Sequence, residues 1–167
     1  MQSLKSIFIT VAMTLALLFG VTSSVIASPF SDFENTKKIA ECGNPMSQAA
    51  LGSMYYNGLG VRQNYERAFY WHKKSAEQGY AGGQTMLGIS YHQGDGVRQD
   101  YSKGLYWLRK AAKQKDTNAL NYIGLIYEEG WGVRQNKADA KEWYGKACDN
   151  GDQLGCNYYR KLNEQGY

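Results

Sequence analysis

The chain has 167 residues, a length that one domain of ordinary size accounts for. Its 19 Lys and Arg residues only slightly outnumber its 15 Asp and Glu residues and form no basic run, so composition does not indicate a nucleic-acid-binding protein. Both prolines, Pro29 and Pro45, precede the repeated motifs, which favours a nearly all-helical body.

The N-terminal segment has the layout of a secretory signal peptide. Lys5 precedes a largely apolar run over 7–20, and small residues then lead up to Ala27. A charged start, an apolar middle and a small-residue cleavage site are typical of export signals. The alternative is an uncleaved membrane anchor over 7–26, which its Thr and Ser residues disfavour. We predict a signal peptide at 1–27, a leader at 28–32, and a periplasmic or secreted protein that has no membrane contact after cleavage.

The rest of the chain is built on one motif that recurs every 36 residues. The motif occupies Leu51–Tyr65, Leu87–Tyr101 and Ile123–Lys137 without any insertion. A tryptophan follows each copy at the same distance, at positions 71, 107 and 143. A fixed period in this range predicts a solenoid in which each repeat is one supersecondary unit stacked on its neighbours.

Each repeat is predicted to form two helices, A and B, joined by a glycine-containing turn. In the first repeat helix A is predicted from Met46 to Asn57 and helix B from Tyr65 to Gln78, with Trp71 on its buried face. A glycine in the middle of each helix A costs roughly 1 kcal/mol relative to alanine, so it predicts close approach of helix B. The predicted boundaries are 33–44 for an N-terminal half-repeat cap, 45–80, 81–116 and 117–151 for the repeats, and 152–165 for a C-terminal capping helix.

The motif Leu-Gly-x-x-Tyr-x-x-Gly-x-Gly-Val, continued by Ala-x-x-Trp-x-x-Lys-Ala-Ala, resembles the Sel1-like repeat, a relative of the tetratricopeptide repeat. Residues 86–112 carry nearly all of it, apart from Gly104 where Ala is expected. Other departures, Ile123, Lys137 and Cys148, are single packing positions. The resemblance implies an all-α fold, a right-handed α/α superhelical solenoid whose A helices line the concave face, and a role in protein–protein interaction.

The resemblance extends to the cysteine-rich exported Sel1-like proteins, in which a cysteine late in helix B pairs with one in the next helix A. Cys148 and Cys156 match that arrangement, so the resemblance implies a disulfide between them. The alternative is two buried thiols in a reducing compartment. Cys42 lies out of phase with this pair. We interpret it as a lone cap thiol of a monomer, with a Cys42-linked dimer as the alternative.

Comparison with the tetratricopeptide relative predicts which positions of helix A face the concave groove. These positions differ between repeats whereas the packing positions do not, which indicates a surface that recognises an extended peptide or protein of unknown identity. The alternative is that they are tolerated surface residues without a partner. The predicted partner-binding residues are Ser53, Tyr56, Asn57, Thr85, Ile89, His92, Gln93, Asn121, Leu125 and Glu128. Trp131, at the tip of the third turn, is predicted either to fold back on a neighbouring turn or to protrude as a contact anchor.

The sequence predicts no catalytic residues, no cofactor and no metal site. The glycine turns lack the Lys-Ser/Thr pair of a phosphate-binding loop, and the two histidines belong to no metal-binding spacing. His72 is interpreted as a core residue, His92 as an exposed one, and Glu128 with Glu129 as a solvated helix end. Exported members of the family have been linked to penicillin binding and weak β-lactam hydrolysis. The alternative function is therefore an enzyme acting on β-lactams or cell-wall peptides, although its Ser-x-x-Lys and Lys-Thr-Gly elements are missing.

Overall fold

The computed structural model describes residues 29–167, and the predicted signal peptide lies outside the described residues. Within this range all regular structure is α-helical. The helices are α1 (Pro29–Glu41), α2 (Pro45–Asn57), α3 (Tyr65–Glu77), α4 (Ala81–Gln93), α5 (Tyr101–Lys113), α6 (Thr117–Glu129), α7 (Lys137–Asp149) and α8 (Gln153–Glu164). None of these helices is long and apolar enough to cross a membrane.

The helices form the solenoid of stacked hairpins that the 36-residue period predicts. Each helix packs against the next one along the chain, and α2 also contacts α4. Helices α2, α4, α6 and α8 are the A helices, and α3, α5 and α7 are the B helices. Helix α1 packs on α2 at the N-terminal end and already begins at Pro29, ahead of the predicted start of the cap.

The turn between helices A and B is built in the same way in each repeat. Gly94 ends α4 with φ 85°, in the left-handed region that glycine adopts without strain. Asp100 then caps α5, and its side chain accepts a hydrogen bond from the backbone N of Lys103 at 2.9 Å. Gln99 closes the turn because its Nε2 donates to the carbonyl oxygen of His92 at 2.8 Å. Gln63 and Gln135 make the same bond in the other repeats, to Tyr56 and Glu128.

Helices A and B meet closely at the mid-helix glycines, and we call this contact the A–B seam. Its residues are Gly52 opposite His72, Gly88 opposite Leu108, and Gly124 opposite Tyr144. A Cβ added to Gly88 would lie 2.7 Å from Leu108 Cγ, and one added to Gly124 would lie 2.6 Å from Tyr144 Cε1. The partner side chains are fully buried. The predicted close approach of helix B is therefore confirmed, and His72 is a core residue as predicted.

The tryptophans of the B helices are not fully buried, contrary to the prediction for Trp71. All three are half-buried at the border between the core and the convex surface. In each repeat the lysine three residues after the tryptophan lies over its ring. The half-buried ring thus makes a cation–π contact. The distances from Nζ to the ring centre are 5.6 Å for Lys74 on Trp71, 4.7 Å for Lys110 on Trp107 and 4.2 Å for Lys146 on Trp143.

The C-terminal end of the solenoid is held by a disulfide. It joins Cys148, near the end of α7, to Cys156 in α8, and the two Cα atoms are 4.4 Å apart. Cys42 is exposed and carries a free thiol at the opposite end of the solenoid. The bond therefore ties α7 to α8 at the C-terminal end of the described helices.

Candidate functional site

The A helices enclose a groove along one face of the solenoid, which we call the concave groove. Its volume is about 690 Å³. Four A helices contribute to its wall, together with residues from the turns that precede α4 and α6. The lining residues are Met46, Ala49, Ala50, Ser53, Tyr80, Gly82, Thr85, Met86, Ile89, Asp116, Asn118, Asn121, Tyr122, Leu125, Leu154 and Tyr158.

Half of the sequence-predicted partner-binding residues line this groove. They are Ser53, Thr85, Ile89, Asn121 and Leu125. The first lies on α2, the next two on α4 and the last two on α6. Positions that share one phase of the repeat are therefore brought together across three helices, as expected when consecutive hairpins stack in register.

Two of the polar residues in the groove bond to the N-terminal cap of the next A helix. Thr85 Oγ1 donates to Asp116 Oδ1 at 2.9 Å, and Asn121 Nδ2 donates to Asp152 Oδ1 at 2.8 Å. The bond from Asn121, together with the backbone N–H of Gly155, holds the pKa of the Asp152 carboxyl below its usual value. The amide nitrogen of Asn121 is thus already used within the protein. Its Oδ1 is buried and has no hydrogen-bond donor among the described residues.

His92 is buried, so the prediction that it is exposed is wrong. Only 5% of its surface is exposed, because the rings of Tyr101, Tyr122 and Trp131 pack around it with centroids 4.9, 5.4 and 5.4 Å away. Trp131 thus folds back on the preceding repeat, while 40% of its surface stays exposed. His92, Gln93, Gln99, Tyr101, Tyr122, Leu125 and Trp131 line a space of about 350 Å³, which we call the end pocket.

Burial keeps His92 neutral by lowering the pKa of its imidazole. Its Nδ1 lies 3.3 Å from the hydroxyl oxygen of Tyr122. The other ring nitrogen, Nε2, is buried and has no partner among the described residues. The end pocket therefore has mainly aromatic walls, and the unpartnered Nε2 of His92 is buried rather than open to it.

The remaining predicted residues of the first two repeats lie at the edge of the groove. Tyr56 donates its hydroxyl hydrogen to Asp95 Oδ2 at 3.0 Å, and its burial and the bond to Asp95 raise its pKa to about 12. The same hydroxyl lies 3.4 Å from Oε1 of Gln93, which lines the end pocket. Asn57 is exposed at the end of α2 and donates to the carbonyl oxygen of Ser53. Tyr56 thus links the end of α2 to the end of α4 and the turn after it, whereas the bond of Asn57 stays within α2.

Glu128 is also buried, so the prediction of a solvated helix end is wrong for this residue. Its carboxylate accepts a hydrogen bond from the Tyr144 hydroxyl at 2.8 Å and lies 3.1 Å from Lys161 Nζ. Burial of Tyr144 and its bond to Glu128 raise the pKa of the tyrosine. The three side chains join α6, α7 and α8, whereas Glu129 is exposed. Glu128 thus stabilises the last hairpin rather than lining the concave groove.

Several lining residues are not predicted from the sequence, and they come from helix starts, from the capping helix or from positions beside predicted ones. Met46 and Leu154 begin α2 and α8 and are 62% and 51% exposed. Met86 and Tyr122 directly follow predicted positions along α4 and α6. An apolar residue in the first turn of an A helix lies too far from the mid-helix glycine to pack in the A–B seam. Its position is therefore a signal that the sequence does contain.

The lining of the groove carries few ionisable side chains. Asp116 is the one carboxylate among its lining residues, and its Oδ1 already accepts bonds from Thr85 and from the backbone N of Ala119. Within residues 29–167, no three His, Cys, Asp or Glu side chains lie close enough together to hold a metal ion. The arrangement is suited to contact with apolar groups.

Comparisons with known proteins agree with the repeat fold. The family model described as Sel1 repeat matches residues 45–80, 81–116 and 117–152. A search of curated proteins gives no match.

Solved structures give further matches. A protective antigen of uropathogenic Escherichia coli, c5321, described as displaying an SLR fold, is 36% identical with a TM-score of 0.73. The match covers 82% of this chain and 29% of that one. A Sel1 repeat protein from Oxalobacter formigenes is 31% identical over 83% of this chain and 57% of that one, with a TM-score of 0.76. The cysteine-rich protein B of Helicobacter pylori shares the fold, with 23% identity over 77% of this chain and 95% of that one and a TM-score of 0.58. The chain thus spans less than two thirds of the first two proteins.

Proposed function

The chain belongs to the Sel1 repeat family, and on that premise we propose that it is an exported interaction module whose concave groove binds an extended segment of a partner protein. Sel1 repeat proteins in general are modules that bind other proteins rather than enzymes. The observation that carries the proposal is the concave groove itself. It is open, mainly apolar and continuous across the A helices of all three repeats and the C-terminal helix.

The apolar lining supports binding of a segment with apolar side chains. Met46, Met86, Ile89, Leu125 and Leu154 all line the groove and are at least partly exposed. Burying such side chains is worth about 25 cal/mol for each Å² removed from water, which favours association with an apolar ligand. Methionine side chains also adapt their shape to different ligands.

The polar groups at the groove favour a ligand with an extended peptide backbone over a ligand that is apolar throughout. Ser53 and the exposed Asn118 stand at different points along its length. An extended backbone offers N–H and C=O groups at regular intervals, so it is suited to such spaced polar contacts. The end pocket adjoins the groove at Tyr122 and Leu125, and it would take one side chain of the same segment.

Export of the protein is supported by two features. The N-terminal residues have the composition of a secretory signal, with cleavage expected near Ala27. The disulfide between Cys148 and Cys156 is the kind of bond that persists in oxidising compartments such as the periplasm. N-terminal sequencing of the protein recovered from a periplasmic or culture-medium fraction tests this part, and an intact N-terminus in the cytosolic fraction would contradict it.

Site-specific photo-cross-linking in the native host tests the groove. A photoreactive amino acid is placed at Met46, which is 62% exposed in the groove, and at Tyr70, which is 49% exposed on helix α3. We expect a cross-linked partner from position 46 and none from position 70. The added variant Ala50→Arg, which puts a large charged side chain into the groove from an exposed position, should abolish the cross-link.

A cross-link that is equal at both positions, or that persists with Ala50→Arg, would show that the groove is not the binding surface. The same purified protein should leave a chromogenic β-lactam unhydrolysed. Turnover that one substitution abolishes would support the enzyme instead. On a non-reducing gel we expect a monomer, and a dimer lost in Cys42→Ser would identify Cys42 as an intermolecular bridge.

A further inference from the structure

A second pocket opens on the opposite side of the solenoid, between the B helices α5 and α7. Its volume is about 540 Å³. Leu120, Ala112 and Trp143 form its apolar floor. The rim carries the cationic side chains of Arg109, Lys113, Lys115 and Lys146, and no carboxylate is among its lining residues. With Asn150 these residues make up what we call the basic pocket.

The repeat symmetry explains why this pocket opens here and not one repeat earlier. At the preceding interface Gln114 Nε2 donates to Gln84 Oε1 of its own hairpin at 2.8 Å and to the carbonyl oxygen of Gly79 in the preceding hairpin at 2.9 Å, so the glutamine pair bridges the gap between the hairpins. One repeat earlier still, Gln78 makes the same bond to Gln48 at 2.7 Å. In the third repeat Leu120 stands at the position of Gln84, and the shorter Asn150 stands at the position of Gln114.

The bridge is therefore absent at the third interface. Asn150 Nδ2 instead donates to the carbonyl oxygen of Lys146, within its own helix and turn. Leu120 is 3% exposed and gives the open gap an apolar floor. Two substitutions relative to the other repeats thus change a filled polar gap into a pocket.

The charges on the rim also differ from those at the preceding interface. At the earlier interface Glu77 lies 3.8 Å from Lys73, so the two charges offset each other. Their counterparts here are Lys113 and Arg109, which are both positive. Arg109 donates to the Tyr127 hydroxyl at 2.8 Å, and none of the four rim cations forms an ion pair with a described residue.

Lys115 provides an independent sign that this rim is selected for charge. It has φ 64°, and it is the one non-glycine residue with positive φ in residues 29–167. The other two B helices are followed by glycine at this position, Gly79 with φ 89° and Gly151 with φ 86°. A lysine in the left-handed region costs free energy that glycine does not. Strain of this kind is retained at places where the side chain has a use.

We propose that the basic pocket binds an acidic segment of a partner protein, which places one apolar side chain on the floor and its carboxylates beside the rim. The enclosed apolar floor favours such a segment over a polyanion that consists of charge alone. A cleft also admits a protruding side chain, whereas a flat lipid surface would meet only the rim. This binding surface is separate from the concave groove, and it does not depend on the function proposed for the groove.

Fluorescence anisotropy with a labelled acidic peptide, a leucine flanked by glutamates, tests the proposal on the purified chain. We expect saturable binding that weakens when the glutamates are replaced by glutamines or the leucine by serine. Lys115→Gly, which relieves the strained backbone, should weaken binding about threefold while raising the melting temperature. Leu120→Gln with Asn150→Gln, which restores the bridge of the earlier repeats, should weaken it about tenfold.

Two further variants keep the test decisive. Lys113→Glu changes an exposed residue and recreates the offset charges of the earlier interface, so it should weaken binding even if the double variant fails to fold. Lys73→Gln is the control: Lys73 lies 36 residues before Arg109 and is not among the residues that line the basic pocket. Removing its charge should leave binding unchanged.

The proposal is overturned if the glutamine peptide binds as well as the acidic one, or if Lys73→Gln weakens binding as much as Lys115→Gly. It is also overturned if polyphosphate, or vesicles of phosphatidylglycerol, bind more tightly than the acidic peptide and lose affinity equally in every lysine variant. That last result would mark a general response to negative charge.

Discussion

The A–B seam and the concave groove are made from the same helices but follow opposite rules. In the seam, the mid-helix glycine is constant and its partner fills the space completely, whether that partner is His72, Leu108 or Tyr144. In the groove, the lining residues change from repeat to repeat and leave a space of about 690 Å³. The comparison shows that stacking fixes one side of each A helix and leaves the other free to recognise a ligand.

The largest effect is expected from placing a side chain in the seam. Gly88→Ala would bring a Cβ within 2.7 Å of Leu108 Cγ and 2.9 Å of the carbonyl oxygen of Gly104. Overpacking of a close helix contact should lower the free energy of unfolding by about 3 kcal/mol. Chemical denaturation of the variant measures this change.

Gly82→Ala is the matched control in the groove wall of the same helix. Its new Cβ would meet only the ring of Tyr80, which can move away. We expect stability to change by less than about 1 kcal/mol. Equal losses in the two variants would contradict the distinction between seam and groove.

Removal of the disulfide should have the next largest effect. The bond closes a loop with a sequence separation of 8, which corresponds to about 2.5 kcal/mol of chain entropy. The double variant Cys148→Ala with Cys156→Ala should lower the melting temperature and increase hydrogen exchange in α7 and α8 first. Faster exchange that begins instead in α2 and α3 would show that the bond does not act on the terminal hairpin.

The seam histidine should make stability depend on pH. Burial lowers the pKa of His72 from 6.5 to about 4, and both of its ring nitrogens lack partners among the described residues. Between these pH values the unfolded chain binds the proton that the folded chain excludes, so stability falls as the pH drops below 6.5. At pH 5 the expected loss is about 2 kcal/mol relative to neutral pH.

His72→Leu supplies the control, because leucine occupies the same seam position in the next repeat as Leu108. The variant should lose most of this pH dependence and be at least as stable as the parent at pH 7. The measurement is urea denaturation at pH 5 and pH 7. An unchanged difference between the two pH values would place the titrating group elsewhere, with His92 as the next candidate.

The smallest effect concerns the turn that follows α5. Lys115→Gly should raise the free energy of unfolding by about 1 kcal/mol because glycine adopts the left-handed region without steric cost. Gly79→Lys, the reverse change in the preceding repeat, should lower it by a similar amount. Two variants with the same sign of change would show that the repeat turns are not equivalent.

The sequence predicted the seam better than the groove, and the reason is physical. Gly88 must be small because of Leu108 in its own repeat, so one repeat contains the whole constraint. His92 and Glu128 were predicted as exposed because their positions vary between repeats. Their burial depends on side chains from the following hairpin, namely Trp131 for His92, and Tyr144 with Lys161 for Glu128.

The groove residues that could be predicted are likewise those whose position does not depend on a side chain of the following repeat. Ser53, Ile89 and Leu125 occupy helical positions that point away from the seam, and the resemblance to the tetratricopeptide repeat predicts that this side of the helix faces the groove. Tyr56 was predicted on the same basis, but Asp95 in the next turn accepts its hydroxyl hydrogen and holds it at the edge. A repeat pattern predicts the face that a residue occupies, but it does not predict a contact with a residue that varies in the neighbouring repeat.

Methyl NMR spectroscopy of the chain, titrated with the partner segment captured at Met46, tests the central claim most directly. We expect chemical-shift changes in the groove methyls of Met86, Ile89 and Leu125, and none in the seam methyls of Leu108. Changes confined to the seam, or to residues on the B helices, would contradict the claim that the concave groove is the surface that binds the partner.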